Sequence, residues 1–204
     1  MANSDIARPH VFQRGSSSRT LLMLHGTGAD ERDLLGLARA LDPEASVLSP
    51  RGMHLESGMN RFFERYPDGS FNEASIDQGV AELAEFIEAA IVEYELDRSN
   101  VFGTGFSNGA NTAAALMIKH PGLLSGAALF GSTKPYRDVE DISLKGKPIW
   151  LANGDQDPYA PVQVSEAWVQ ELQSLGADIR WLRHPGGHQI SQSHVTEIAS
   201  ALYL

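Results

Sequence analysis

Ser107 lies at the centre of the sequence Gly105-Phe106-Ser107-Asn108-Gly109. A serine in this G-x-S-x-G pattern is a nucleophile for acyl transfer when a strand precedes it and a helix follows, because the sharp turn exposes its hydroxyl. Here the apolar run Val101 to Thr104 precedes the motif, and helical spacing begins near Asn108. The pattern predicts a nucleophile, with the alternative that a serine between glycines acts only as a helix N-cap.

A serine hydroxyl needs a base to accept its proton. Of the seven histidines, His188 is the best candidate because it follows Pro185-Gly186-Gly187, between the last predicted strand and the last predicted helix. Loops at the carboxyl ends of parallel strands are where such sheets place their ligands. We expect His184, at the strand end, to be structural, and His25 to shape its loop.

The group that orients His188 should be a carboxylate on the loop after the preceding strand. Asp155 and Asp157 compete in Asn153-Gly154-Asp155-Gln156-Asp157-Pro158. We favour Asp157, since it lies deeper in the loop next to a stiffening proline, whereas Asp155 follows a glycine and suits a turn. The order Ser107, Asp157, His188 is the chain order of α/β-hydrolases.

Acyl transfer also requires N–H donors for the developing oxyanion. One is expected to be the backbone N–H of Asn108, directly after the nucleophile. The other is expected from the glycine-rich loop His25 to Gly28, with the N–H of Thr27 as the candidate. These four elements predict a complete site for acyl transfer.

The rest of the chain alternates short apolar runs with helical patterns, which predicts a mostly parallel sheet with helices on both faces, a single α/β domain over 1–204. Strands are predicted at Thr20–Leu24, Ser46–Ser49, Asn100–Thr104, Leu124–Phe130, Pro148–Ala152 and Ile179–Leu182, with an antiparallel edge strand at Val11–Gln13. Helices are predicted at Asp33–Leu41, Ala74–Glu95, Asn108–His120, Val162–Leu175 and Ile190–Leu202.

The segment Arg51 to Asn72 contains three glycines and a proline and is predicted to be a long irregular loop. Its apolar side chains suit a pocket for the acyl or alcohol part of a substrate, and equally a role in pinning the loop to the core. The candidates for substrate binding are Met53, Phe62 and Phe63, with Met59 and Phe71 as further members.

Composition excludes several classes of function. The chain has 204 residues, a formal net charge of −10 and no cysteine. A surface this negative repels phosphate backbones, so we expect no nucleic-acid partner. The absence of cysteine removes thiolate nucleophiles and thiolate metal sites. The polar start, Met1 to Asp5, and the lack of long apolar runs predict a cytoplasmic protein without membrane insertion.

With these motifs, the chain resembles the phospholipase/carboxylesterase branch of the α/β-hydrolases, which also contains the acyl-protein thioesterases. The matching segments are LHGTGAD (24–30), LSPRG (48–52), GFSNGAN (105–111), NGDQDPYAPV (153–162) and PGGH (185–188). RFFERY (61–66) is similar to bacterial carboxylesterases linked to hydroquinone stress.

No cap domain is expected, because Arg51 to Asn72 is the only long predicted loop. The resemblance implies an α/β-hydrolase fold with the same triad and oxyanion hole. It also implies ester hydrolysis without a metal or organic cofactor. We therefore expect a serine carboxylesterase for small esters of short acyl chains, working as a monomer or homodimer. The alternatives are a thioesterase or lysophospholipase of the same family and, on the same fold, a non-catalytic small-molecule receptor.

Overall fold

The computed structural model describes residues 8–139 and 142–202. Nine strands are present in these residues: β1 His10–Gln13, β2 Thr20–Leu24, β3 Ser46–Pro50, β4 His54–Glu56, β5 Met59–Arg61, β6 Val101–Phe106, β7 Gly126–Phe130, β8 Pro148–Gly154 and β9 Asp178–His184. The helices are α1 Leu35–Leu41, α2 Glu73–Glu93, α3 Asn108–Lys119, α4 Val162–Ser174 and α5 Gln192–Leu202, with a short 3₁₀ turn at Arg98–Asn100.

Seven of the strands form one sheet in the order β1-β3-β2-β6-β7-β8-β9. All neighbours are parallel except β1, which pairs antiparallel with β3 at the edge. The register brings the carboxyl ends of the central strands together, since Leu24 pairs with Gly105 and Phe106 with Phe130. The predicted α/β-hydrolase sheet and its antiparallel edge strand are confirmed.

Alternating side chains of the buried strands serve both faces of the sheet. In β2, Leu22 and Leu24 pack with α2, α3 and α4, whereas Leu21 and Met23 pack with α1 and α5. A strand covered on both sides is apolar on both faces, which explains the continuous run Leu21 to Leu24. The two layers of helices hold the sheet rigid, and its carboxyl edge carries the loops that form the site.

The segment 51–72 is more ordered than its composition predicts. It contains a hairpin of β4 and β5, joined by Ser57 and Gly58, whose φ angles are +53° and +81°. Two consecutive residues with positive φ form the turn that suits a two-residue hairpin loop. A further bridge joins Arg65 to Phe71. The prediction of an irregular loop is therefore wrong for this part of the chain.

In the described parts of the chain, no helix has the length and apolar character that crossing a membrane requires.

Candidate active site

Ser107 lies in the turn between β6 and α3, with φ = +54° and ψ = −116°. A side chain in this region of φ and ψ is strained, and such strain is found at functional sites. The backbone N–H of Ser107 donates to Phe130 O at 2.8 Å, which anchors the turn to β7. Both flanking positions must be glycine, because any larger residue would clash with the backbone. A Cβ at Gly105 would lie 2.5 Å from the backbone of Gly109, and one at Gly109 would lie 2.0 Å from Leu24 O.

His188 and Asp157 form a hydrogen bond of 2.6 Å between Nδ1 and Oδ2. A carboxylate can only accept, so Nδ1 carries the proton and Nε2 is left as the basic nitrogen. The other oxygen of the buried Asp157 side chain, Oδ1, accepts from the N–H groups of Tyr159 at 2.8 Å and Ala160 at 3.2 Å. These bonds fix the carboxylate and, through it, the tautomer of the imidazole.

Asp155, the competing carboxylate, is exposed and pairs with Arg183 at 2.7 Å. Its backbone N–H donates to the carbonyl of His184, at the end of β9. The structure thus brings Asp157, and not Asp155, to His188.

The imidazole of His188 is held by packing as well as by Asp157. The rings of Phe106 and Tyr159 each lie 4.9 Å from it, centroid to centroid. Gly131 lies against its edge, where a Cβ would come within 2.7 Å of Cε1. Because Gly131 also has φ = +61°, the position favours glycine on both grounds.

Ser107 and His188 open into one cavity of about 650 Å³. In the described residues no hydrogen bond joins their side chains. Catalytic hydrogen bonds are often long without substrate and tighten in the reacting complex. Thr27 and Asn108 also line this cavity. The predicted nucleophile, base and oxyanion donors therefore meet in one place.

The backbone N–H groups of Thr27 and Asn108 donate to no acceptor within the part of the chain that the structure describes. Their side chains are tied down instead. Thr27 Oγ1 accepts from Arg61 Nη1 at 2.6 Å, and Asn108 Oδ1 accepts from the N–H of Phe62 at 2.8 Å. Two free N–H groups beside a serine are what an oxyanion hole requires.

His25 is fully buried beside this loop. Its Nδ1 donates to Gly26 O at 2.7 Å, and its Nε2 accepts from the N–H of Gly52 at 2.9 Å. Burial lowers the pKa of His25, an effect that its hydrogen bond to the Gly26 carbonyl opposes. These bonds agree with the expectation that His25 shapes the loop.

Met53, Phe62 and Phe63 do not line the cavity, so their expected role in substrate binding is corrected. Met53 is 54% exposed, whereas Phe62 and Phe63 are 4% and 1% exposed and pack into the core beside α2. The two phenylalanines pin the segment to the core, the alternative that the sequence left open. Phe71, another apolar residue of the segment, does line the cavity.

Sequence reasoning missed the polar lining of the cavity. Arg61, Arg65, Asn111 and Lys134 all contribute to it. Burial, and secondarily the nearby positive charge of Arg65, lower the pKa of Arg61 to about 10. The available signal was position, since each residue lies in a segment that follows the carboxyl end of a strand of the main sheet.

In the residues that the structure covers, no group of three or more His, Asp or Glu side chains is placed to hold a metal ion.

Comparison with known proteins places this geometry in a family. The model of the phospholipase/carboxylesterase family matches residues 10–204. The chain belongs to the phospholipase/carboxylesterase family. The resemblance in the sequence motifs is thereby confirmed.

Three relatives are similar over nearly their whole length. The hydrolase MhqD of Bacillus subtilis strain 168 is 39% identical over 194 residues, 95% of this chain and 96% of that one. The carboxylesterase of Bacillus cereus has 40% identity and a TM-score of 0.93, with 97% and 94% of the chains covered. The carboxylesterase of Mesorhizobium loti has 30% identity and a TM-score of 0.91, with 98% and 97% covered.

Proposed function

We propose that this member of the family is a serine carboxylesterase that hydrolyses short-chain esters through an acyl-enzyme. Ser107 attacks the ester carbonyl while His188 accepts its proton. The N–H groups of Thr27 and Asn108 stabilise the tetrahedral oxyanion, and His188 protonates the leaving alcohol. His188 then activates water, which attacks the acyl-enzyme and releases the acid. Asp157 holds the histidine tautomer throughout.

The observation that carries this proposal is the hydrogen bond of 2.6 Å between Asp157 and His188, with His188 and Ser107 at the same cavity. This hydrogen bond fixes the tautomer of His188 that a general base requires, and the strained Ser107 lies at the same cavity. The free N–H groups of Thr27 and Asn108 support the same chemistry, because an acyl-transfer site needs donors that are not already used.

The lining of the cavity supports short acyl chains. Its apolar side chains are few: Phe71, Phe106, Tyr159, Pro161 and Val164. The other described residues of the lining are polar or small, so a fatty acyl chain would have few apolar side chains to pack against. We expect faster turnover of C2–C6 esters than of C12–C16 esters.

The test is hydrolysis of 4-nitrophenyl acetate, butyrate and octanoate by the wild type and by Ser107→Ala. Loss of the nucleophile should lower kcat by about 10³-fold or more. Ser99→Ala is the matched control, since Ser99 lies before β6, away from the carboxyl edge of the sheet. Folded wild-type protein that hydrolyses none of these esters, or full activity in Ser107→Ala, would refute the proposal. Thioesters with the same acyl chains, in the same plate, separate an esterase from a thioesterase.

A further inference from the structure

The charge of the cavity is opposite to that of the protein. The chain has 26 acidic and 16 basic residues. Yet Arg61, Arg65 and Lys134 line the cavity, and no aspartate or glutamate of the described residues does. A cleft lined by one sign of charge concentrates ligands of the opposite sign. The cavity beside Ser107 is therefore basic although the protein as a whole is acidic. A neutral ester would make no use of this positive charge.

The arginines of this lining have one carboxylate between them. Glu56 accepts from Arg65 Nη2 at 2.6 Å and lies 3.3 Å from Arg61 Nε. Two guanidinium groups and one carboxylate leave one positive charge uncompensated. The Arg61 side chain is only 3% exposed, so water screens that charge less than it would at the surface.

Among the described residues, no second carboxylate forms an ion pair with Arg61 or Arg65. Glu64 and Asp68 belong to the same segment, but their hydrogen-bond partners are Asn72 and Ser70, and neither carboxylate lines the cavity. Glu171 accepts from Lys134 Nζ at 2.7 Å and offsets its charge in the sum, but Glu171 does not line the cavity, whereas Lys134 does and keeps 26% of its side chain exposed.

Asn111 adds a buried donor next to Lys134. It is 6% exposed, and its Oδ1 accepts from Ser132 Oγ and from the N–H of Thr133, both at 2.9 Å. These two donors fix the amide, since an oxygen must face them. The Nδ2 group then has no acceptor among the described residues, and Asn111 lines the cavity. An amide N–H group in this position is available to donate to an oxygen of a bound ligand.

We infer that the ester substrates of this site carry a carboxylate, which the basic lining formed by Arg61, Arg65, Lys134 and Asn111 binds while Ser107 attacks the ester. This inference rests on the proposed function and names its substrate class. A single uncompensated charge matches a monoanion, and arginine and amide N–H groups match the two oxygens of a carboxylate. The hydrolysis itself is unchanged: the carboxylate is a handle for binding and takes no part in bond breaking.

The test compares esters that differ only in this charge. For the alcohol side the pair is 4-acetoxybenzoate and 4-acetoxybenzamide, and for the acyl side it is the monoethyl ester of adipic acid and its monoamide. In at least one pair the carboxylate ester should have a kcat/KM about 10-fold higher at low salt. That preference should fall several-fold between about 20 mM and 500 mM NaCl, because salt screens charge attraction.

The variants Arg65→Gln and Lys134→Gln should each lower the preference for the carboxylate about 5-fold or more, through the KM of the anionic ester. Arg65→Lys keeps the charge and should retain most of the preference. Arg98→Gln removes one exposed positive charge before β6, and it should change neither ester. This control separates the local effect from a general change in net charge.

Equal rates within both pairs at low salt would overturn the inference, as would a preference that survives both Arg65→Gln and Lys134→Gln. If 4-nitrophenyl butyrate is hydrolysed while the preference is absent, the substrate class alone is wrong. If folded protein hydrolyses no ester at all, the proposed function fails and this inference fails with it.

Discussion

Replacing Asp157 by Asn tests the pairing of Asp157 with His188 most directly, because the hydrogen bonds around Asp157 determine which way the new amide would face. Oδ1 of Asp157 accepts two backbone N–H groups, those of Tyr159 and Ala160. An Asn side chain must keep its oxygen toward these donors, so its NH₂ group takes the place of Oδ2 and faces His188 Nδ1. The imidazole can then only accept at Nδ1, which moves its proton to Nε2.

A histidine protonated at Nε2 cannot take the proton of Ser107. In a serine protease triad the equivalent change lowers kcat by about 10⁴-fold for this reason. The Asp157 side chain is fully buried, and we expect a loss of about 10³- to 10⁴-fold in kcat on 4-nitrophenyl butyrate. KM should change little, because Asp157 does not line the cavity.

The matched control is Asp155→Asn, which makes the same chemical change two residues away. Asp155 is exposed and pairs with Arg183, and exposed ion pairs contribute about 1 kcal/mol or less to stability. Its activity should stay within about threefold of the wild type. Thermal unfolding of each variant separates lost chemistry from lost folding. An Asp157→Asn enzyme with near wild-type kcat, or an Asp155→Asn enzyme that loses about 10³-fold, would refute the assignment.

Two further predictions concern stability. Burial lowers the pKa of His25 in the folded protein, so below its unfolded value of about 6.5 the unfolded chain binds a proton that the folded chain does not. Stability is therefore lost as pH falls below about 6.5, and urea unfolding should show a larger loss of stability between pH 7 and 5.5 in the wild type than in His25→Gln; parallel curves would contradict this. Gly109→Ala should destabilise by about 3 kcal/mol or more, because its Cβ would lie 2.0 Å from Leu24 O. Gly122→Ala, where a Cβ has open space, should unfold within about 1 kcal/mol of the wild type, and equal Tm values for the two variants would show that the turn relaxes.

Local patterns were sufficient for most elements of the fold. The β2 strand and the amphipathic spacing of α2 follow from their own residues, because burial on both faces or on one face dictates which positions are apolar. The hairpin of β4 and β5 was missed, although Ser57-Gly58 is a turn signal. Strands of three residues have too few positions to show an alternating pattern.

The residues of the candidate site were also predicted only in part. Ser107, Asp157 and His188 were chosen because each lies on a loop after a predicted strand, and parallel strands bring such loops to one edge. Phe62 and Phe63 were wrongly predicted to line the pocket, because the sequence does not distinguish an apolar side chain that faces a pocket from one that packs into the core.

The sequence by itself determined the sheet, the order of the three candidate triad residues and the family motifs, since these depend on local burial and turn chemistry. Only the tertiary structure decided which aspartate meets His188 and which charges surround the cavity. Arg61 and Arg65 lie far along the chain from Lys134, and their positions after strands of the sheet do not by themselves indicate that these side chains line one cavity with Ser107. Long-range packing creates that proximity, and no local pattern encodes it.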